Sequence, residues 1–154
     1  MDLIHDFFPV RGRLAVQWRG SAEDQVDQFS RTLDRSPSQR RKAERLGRNA
    51  EDQVEAYWVN KGFTLLARRL RTGAGELDLV VADAQMLVFI EVKARRSLIQ
   101  AAYAISPQQQ ARLLEAASLA LATHAAWERP VTRFDVALVC AGRMEHIEDA
   151  IRYQ

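Results

Sequence analysis

From about residue 41 the chain runs through two hydrophobic periods. Ala43, Leu46, Ala50, Val54, Tyr57 and Trp58 recur at three- and four-residue spacing, which predicts a helix, and Gly62 after Asn60 and Lys61 reads as its stop. Residues 63–71, 77–82 and 86–94 are β-rich runs. The first two are separated by Thr-Gly-Ala-Gly loop chemistry at 72–75, the last two by a short polar turn at 83–85. Pro107 opens an Ala/Leu-rich helical segment to about Ala126, with Ser106 before it as an N-cap. Strands over 134–140 and 143–147 close the pattern. The order of helix, three strands, helix and strand predicts a mixed α/β domain over 41–154, with helices packed on a sheet. Residues 1–40 differ: they are polar, with Ser-Pro-Ser near the end. They read as an extension that is flexible or partly helical around 22–33, with Leu3, Ile4, Phe7 and Phe8 free to dock on the domain or on a partner.

Ionisable groups interrupt two of the apolar strands, in the stretch GELDLVVADAQMLVFIEVKARR. Side chains alternate along a strand. Glu76, Asp78, Val80 and Ala82 therefore share one face, and so do Leu87, Phe89, Glu91 and Lys93. The opposite faces, Leu77/Leu79/Val81 and Met86/Val88/Ile90/Val92, are wholly apolar. A hairpin about residues 83–85 brings Asp78 near Glu91 across the ladder. Facing carboxylates repel, and burial raises the free energy of their charges. A hard divalent cation removes the conflict, because Mg²⁺ takes a few carboxylate oxygens and keeps several waters. Lys93, two residues past Glu91, can offset a phosphate or orient an attacking water. Metal-assisted phosphodiester hydrolysis needs such a set: a metal that neutralises phosphate and acidifies water, and a cation for the developing charge. The plain alternative is an internal salt bridge between Glu91 or Asp78 and Lys93 or Arg95.

Composition and charge narrow the picture. The chain has 154 residues, 47% of them hydrophobic and 27% charged, which suits one domain with a real core. No apolar run approaches the roughly 20 residues of a membrane span, and the start of the chain is a poor signal peptide. Cys140 is the only cysteine, which fits a reducing cytoplasm. The three histidines, His5, His124 and His146, are dispersed and lack zinc-ligand spacing, so they read as structural or surface groups. Tyr57, Trp58 and Trp127 read as packing. The net charge of +2 hides two basic clusters. One is Arg35, Arg40, Arg41, Lys42, Arg45 and Arg48. The other is Lys61, Arg68, Arg69, Arg71, Lys93, Arg95 and Arg96. Such clusters can meet a polyanion, and the second one flanks the acids.

Gly75-Glu76-x-Asp78 followed by Phe89-Ile90-Glu91-Val92-Lys93-x-Arg95 resembles the PD-(D/E)xK nuclease superfamily. Together with Gly47-x-x-Ala50-Glu51, Gly62-Phe63 and Arg133-Phe134-Asp135, it resembles more closely the bacterial YraN family of endonuclease-like proteins, from about Leu46 to Ala150. The resemblance implies a restriction-endonuclease-like α/β fold, a mixed β-sheet flanked by helices. It implies Asp78 and Glu91 as ligands of Mg²⁺ or Mn²⁺, Lys93 as the catalytic lysine, and Glu51 as a helix glutamate approaching the metal, with Glu55 a rival one turn on. Glu76 would back the ligands or cap its strand. DNA is the expected partner, gripped by Arg68, Arg69, Arg71, Arg95 and Arg96, and a homodimer is compatible with the fold. Two departures stand out: no proline precedes the first acid, and Gln109 stands where such sequences usually carry a lysine. Gln109 can still hydrogen-bond a phosphate, without charge. Asp135 reads as structural, paired with Arg133 or another arginine. The expected activity is metal-dependent cleavage of DNA phosphodiester bonds. The alternatives are a non-catalytic nucleic-acid-binding module on the same scaffold, or a protein-interaction adaptor using residues 1–40.

Overall fold

The computed structural model describes residues 36–94 and 105–152. The expected helix around 22–33, the docking hydrophobes of the extension, His5, Arg95 and Arg96 lie outside them. The first helix, α1 (Pro37–Asn60), begins earlier than its apolar period because its start is set by polar chemistry. The Ser36 hydroxyl accepts the N–H of Gln39 while the Gln39 side chain accepts the N–H of Ser36 at 3.1 Å, and Pro37 follows the cap. The Ser-Pro-Ser segment expected to be linker is thus the capping box of α1. Gly62, at φ 91, ends the helix in a left-handed conformation, and the N–H of Phe63 reaches back to the Trp58 carbonyl at 3.1 Å.

Five strands follow: β1 (Thr64–Arg71), β2 (Glu76–Ala82), β3 (Met86–Ala94), β4 (Val131–Cys140) and β5 (Arg143–Ile147). They form one mixed sheet in chain order, antiparallel except for the parallel pair β3 and β4. The helix α2 (Pro107–Thr123) lies between those two strands in the chain, as a parallel connection requires. It is shorter than the apolar run suggests. The His124 ring stacks on Trp127 with centroids 4.0 Å apart, and a short 3₁₀ turn, Ala125–Trp127, replaces the last helical turn. The 83–85 connection is closed by Asp83, whose carboxylate accepts the N–H groups of Gln85 and Met86 at 2.8 and 2.7 Å.

A helix covers each sheet face. Ala50, Val54 and Trp58 of α1 pack on Leu79, Val81, Val88, Ile90 and Ala137. Leu113, Leu114, Ala117 and Ala120 of α2 pack on Val80, Leu87, Phe89, Phe134 and Leu138. Each of the larger apolar side chains contributes roughly 1.5–3 kcal/mol when fully buried. The arrangement is restriction-endonuclease-like, as the resemblance implies. Of the acids on β2 and β3, Glu91 is buried, while Glu76 and Asp78 are only partly covered.

One detail departs from simple alternation. Leu77 packs in the α2-side cluster and Leu79 in the α1-side cluster, although two residues apart they were expected on one face. The β1–β2 ladder keeps its register here. It pairs Arg68 with Leu79 and then Leu70 with Leu77, stepping over Arg69 and Asp78, and Arg69 is held at φ 50. The one register shift in this ladder lies between Leu65 and Ala67. The β2–β3 ladder ends at Leu79 with Ile90, one residue short of Asp78 and Glu91. Asp78 therefore lies just past the end of the β2–β3 ladder, where those two strands part, and between two paired positions of the β1–β2 ladder.

Candidate active site

Asp78 and Glu91 meet at this opening. With its ladder partner gone, the N–H of Val92 donates to Oδ2 of Asp78 at 2.8 Å. Glu91 is 5% exposed, and its Oε1 receives both the Lys93 ammonium at 2.6 Å and the Gln109 amide nitrogen at 3.1 Å. Gln109 stands in the first turn of α2, its own N–H capped by the Ser106 hydroxyl at 3.2 Å. The other oxygens, Oδ1 of Asp78 and Oε2 of Glu91, accept no hydrogen bond among the described residues, and neither is sealed from solvent.

The electrostatics show how closely the acids face each other. Burial raises the Asp78 carboxyl, the charge of Glu91 raises it further, and Glu51 adds to both. The Val92 N–H and Lys93 pull the other way, and the result is about 7, far above the ordinary carboxylate value. Two converging carboxylates, each with one oxygen held by protein donors and one free, fit a small hard cation that keeps its waters. Among the described residues, no group of three His, Cys, Asp or Glu side chains is placed to hold a metal by itself.

Glu51 approaches from α1. It is 8% exposed, and its partner is Arg68 of β1, whose Nε lies 3.4 Å from Oε2. The same guanidinium reaches Asp52 at 2.6 Å, Glu55 at 3.3 Å and the Arg48 carbonyl at 3.3 Å. Asp52 above all holds Arg68 firmly protonated. Glu51, not Glu55, is the buried acid whose charge is felt at Asp78.

The basic residues expected around the acids are engaged within the fold. Arg69 and Arg71 take the two oxygens of Glu76 at 3.0 and 3.2 Å. Burial acts to raise Glu76, and the hydrogen bonds of the two arginines outweigh it, so its carboxyl lies below the ordinary range. Lys61 lies over the Tyr57 ring, 4.4 Å from its centroid. Gln109, the residue expected to meet a phosphate, donates its amide N–H to Glu91. The sequence could not reveal that role, because the two residues belong to different elements.

Asp135 is structural, as expected. Fully buried, it accepts Arg133 Nη2 at 2.8 Å, His146 Nε2 at 2.7 Å and the N–H of Asp149 at 2.8 Å. The part played by His146 was invisible in the sequence, 11 residues away on the neighbouring strand.

Residues 50–139 match the model of a family described as "Uncharacterised protein family UPF0102". The chain belongs to this family, the YraN family. A UPF0102 protein of Acidiphilium cryptum is 49% identical over 119 residues, covering 77% of this chain and 93% of its own. One from Azorhizobium caulinodans is 44% identical over 122 residues with the same coverage, and one from Nitrobacter winogradskyi is 46% identical over 98 residues, 64% of this chain and 83% of its own. The UPF0102 match spans α1 from Ala50 through nearly all of β4, and so takes in Glu51, Asp78, Glu91, Lys93 and Gln109. The first thirteen residues of α1 lie before it. Among the described residues, no helix is long and apolar enough to cross a membrane.

Proposed function

We propose that this UPF0102 protein is a divalent-metal-dependent endonuclease that hydrolyses DNA phosphodiester bonds. The observation that carries the reading is the pair Asp78 and Glu91, each with one oxygen bonded by the protein and one left open. Asp78 Oδ1 and Glu91 Oε2 would hold Mg²⁺ or Mn²⁺, with Glu51 contributing charge from behind. A bound ion supplies charge neutralisation at the phosphate and a water of lowered pKa. Lys93 holds Glu91 in place and presents an ammonium to the scissile phosphate, where it stabilises the developing negative charge. Gln109 fixes the same carboxylate from α2. The Val92 N–H orients Asp78. The apolar packing beneath limits water to the open side.

The absence of a third ligating side chain among the described residues supports a second reading, a non-catalytic nucleic-acid-binding module. One experiment separates the two. Single-stranded, duplex and junction DNA are incubated with Mg²⁺ or Mn²⁺, and binding and cleavage are followed together. Metal-dependent cleavage that is lost in Asp78→Ala, Glu91→Ala and Lys93→Ala, each still folded, supports the nuclease. Salt-sensitive binding without turnover in either metal supports the module.

A further inference from the structure

The geometry points to the overhanging amino-terminal half of α1 as the surface that docks on the phosphodiester backbone of DNA, through Arg41, Arg45 and Arg48. This inference rests on the nucleic-acid reading above and assigns the contact within it. The second basic cluster flanks the acids in sequence, yet its described members are already engaged: Arg68 by Glu51, Asp52 and Glu55, Arg69 and Arg71 by Glu76, Lys93 by Glu91, and Lys61 by the Tyr57 ring.

The first cluster is placed differently. No residue of α1 before Ala50 is buried, so thirteen residues, about 20 Å of helix, project past the sheet. Residues 37–48 carry five cations and one acid. Arg41, Arg45 and Arg48 recur at four- and three-residue spacing on one stripe, exposed, and their side chains have no ion pair among the described residues. The stripe spans roughly 10 Å, enough for two or three successive phosphates of one strand. One turn further stands Asp52, paired with Arg68, and beside it Glu51, the α1 acid whose charge is felt at Asp78.

The arrangement is unfavourable for the helix itself. Arg41 and Arg45 repel as like charges at i and i+4, and no acid stands in the first turn to complement the helix dipole. A polyanion reverses both penalties.

The test is binding of the full-length chain to a fluorescent duplex in EDTA, across a salt series, with cleavage in Mg²⁺ followed separately. The triple variant Arg41→Gln/Arg45→Gln/Arg48→Gln should keep the circular dichroism of the parent and a thermal midpoint no lower than its own, since all three sites are exposed. It should lose at least about tenfold in affinity near 150 mM salt, and the slope of log K against log salt should flatten by about 2 to 3. The matching triple lysine variant should retain the parent slope. An unchanged slope in the glutamine variant, or an equal loss in the lysine variant, overturns the docking surface while leaving the nuclease reading to the cleavage assay. A parent protein that binds no duplex even at low salt overturns both.

Discussion

The ammonium of Lys93 lies 2.6 Å from Oε1 of Glu91, on the same oxygen that Gln109 reaches from α2. Glu91 is thereby held by one oxygen and open at the other. Removing the Lys93 charge and removing the Glu91 charge should have different consequences. Lys93→Met should lower cleavage at least a hundredfold with little loss of Mn²⁺ affinity. Glu91→Gln should weaken Mn²⁺ binding itself, read by calorimetry without nucleic acid. Equal Mn²⁺ affinity in the parent and Glu91→Gln would remove Glu91 from the metal site.

Asp78 should make the metal-free protein less stable as pH rises. Its carboxyl titrates near 7 in the fold and near 3.8 when unfolded, so between those values the native state holds the extra proton. Stability from this group is present below about pH 4, declines through pH 7 and is lost above it. Asp78→Asn should therefore raise the thermal midpoint at pH 8, by an amount corresponding to on the order of 2–4 kcal/mol, and leave it unchanged at pH 4. Melting curves at the two pH values check this, and a gain of equal size at both would contradict it.

The same carboxyl should make metal binding pH-dependent. A cation needs Asp78 ionised, so Mn²⁺ affinity should rise by up to about tenfold per pH unit below 7 and level off above. Calorimetry in two buffers of different ionisation enthalpy should register proton release near pH 6 and little near pH 8.5.

Arg68 ties β1 to the acid row of α1. Arg68→Gln leaves Glu51 buried without its counter-ion and should lower stability by about 1–3 kcal/mol, a figure moderated by the partial exposure of the arginine. The double variant Glu51→Gln/Arg68→Gln should recover part of that loss. Strict additivity of the two single changes in denaturant melts would show that the pair is not coupled.

Asp135 belongs to the scaffold. Asp135→Asn removes the charge that Arg133 and His146 share, and should cost about 3 kcal/mol. Metal affinity per folded molecule should stay at the parent value, since the network lies apart from Asp78 and Glu91. A selective loss of metal binding without loss of stability would reassign it.

Most of the secondary structure follows from local chemistry. The periods around Val54 and Trp58, the Gly62 stop, the Ser106 cap and the polar turn at Asp83 depend on neighbours a few residues away, and so they could be read directly. The approach of Asp78 to Glu91 was legible for the same reason, since a three-residue turn places them across one hairpin. What each charge touches depends on how those elements pack. The pairing of Gln109 with Glu91, of Arg68 with Glu51 and of Asp135 with His146 joins separate elements, 18, 17 and 11 residues apart. Helix packing on both sheet faces sets those distances. Among the described residues, that packing pairs Lys93 with Glu91 and Arg68 with Glu51, leaves Arg69 and Arg71 sharing Glu76 at the surface, and leaves the stripe on α1 exposed, because no residue of that helix before Ala50 is buried.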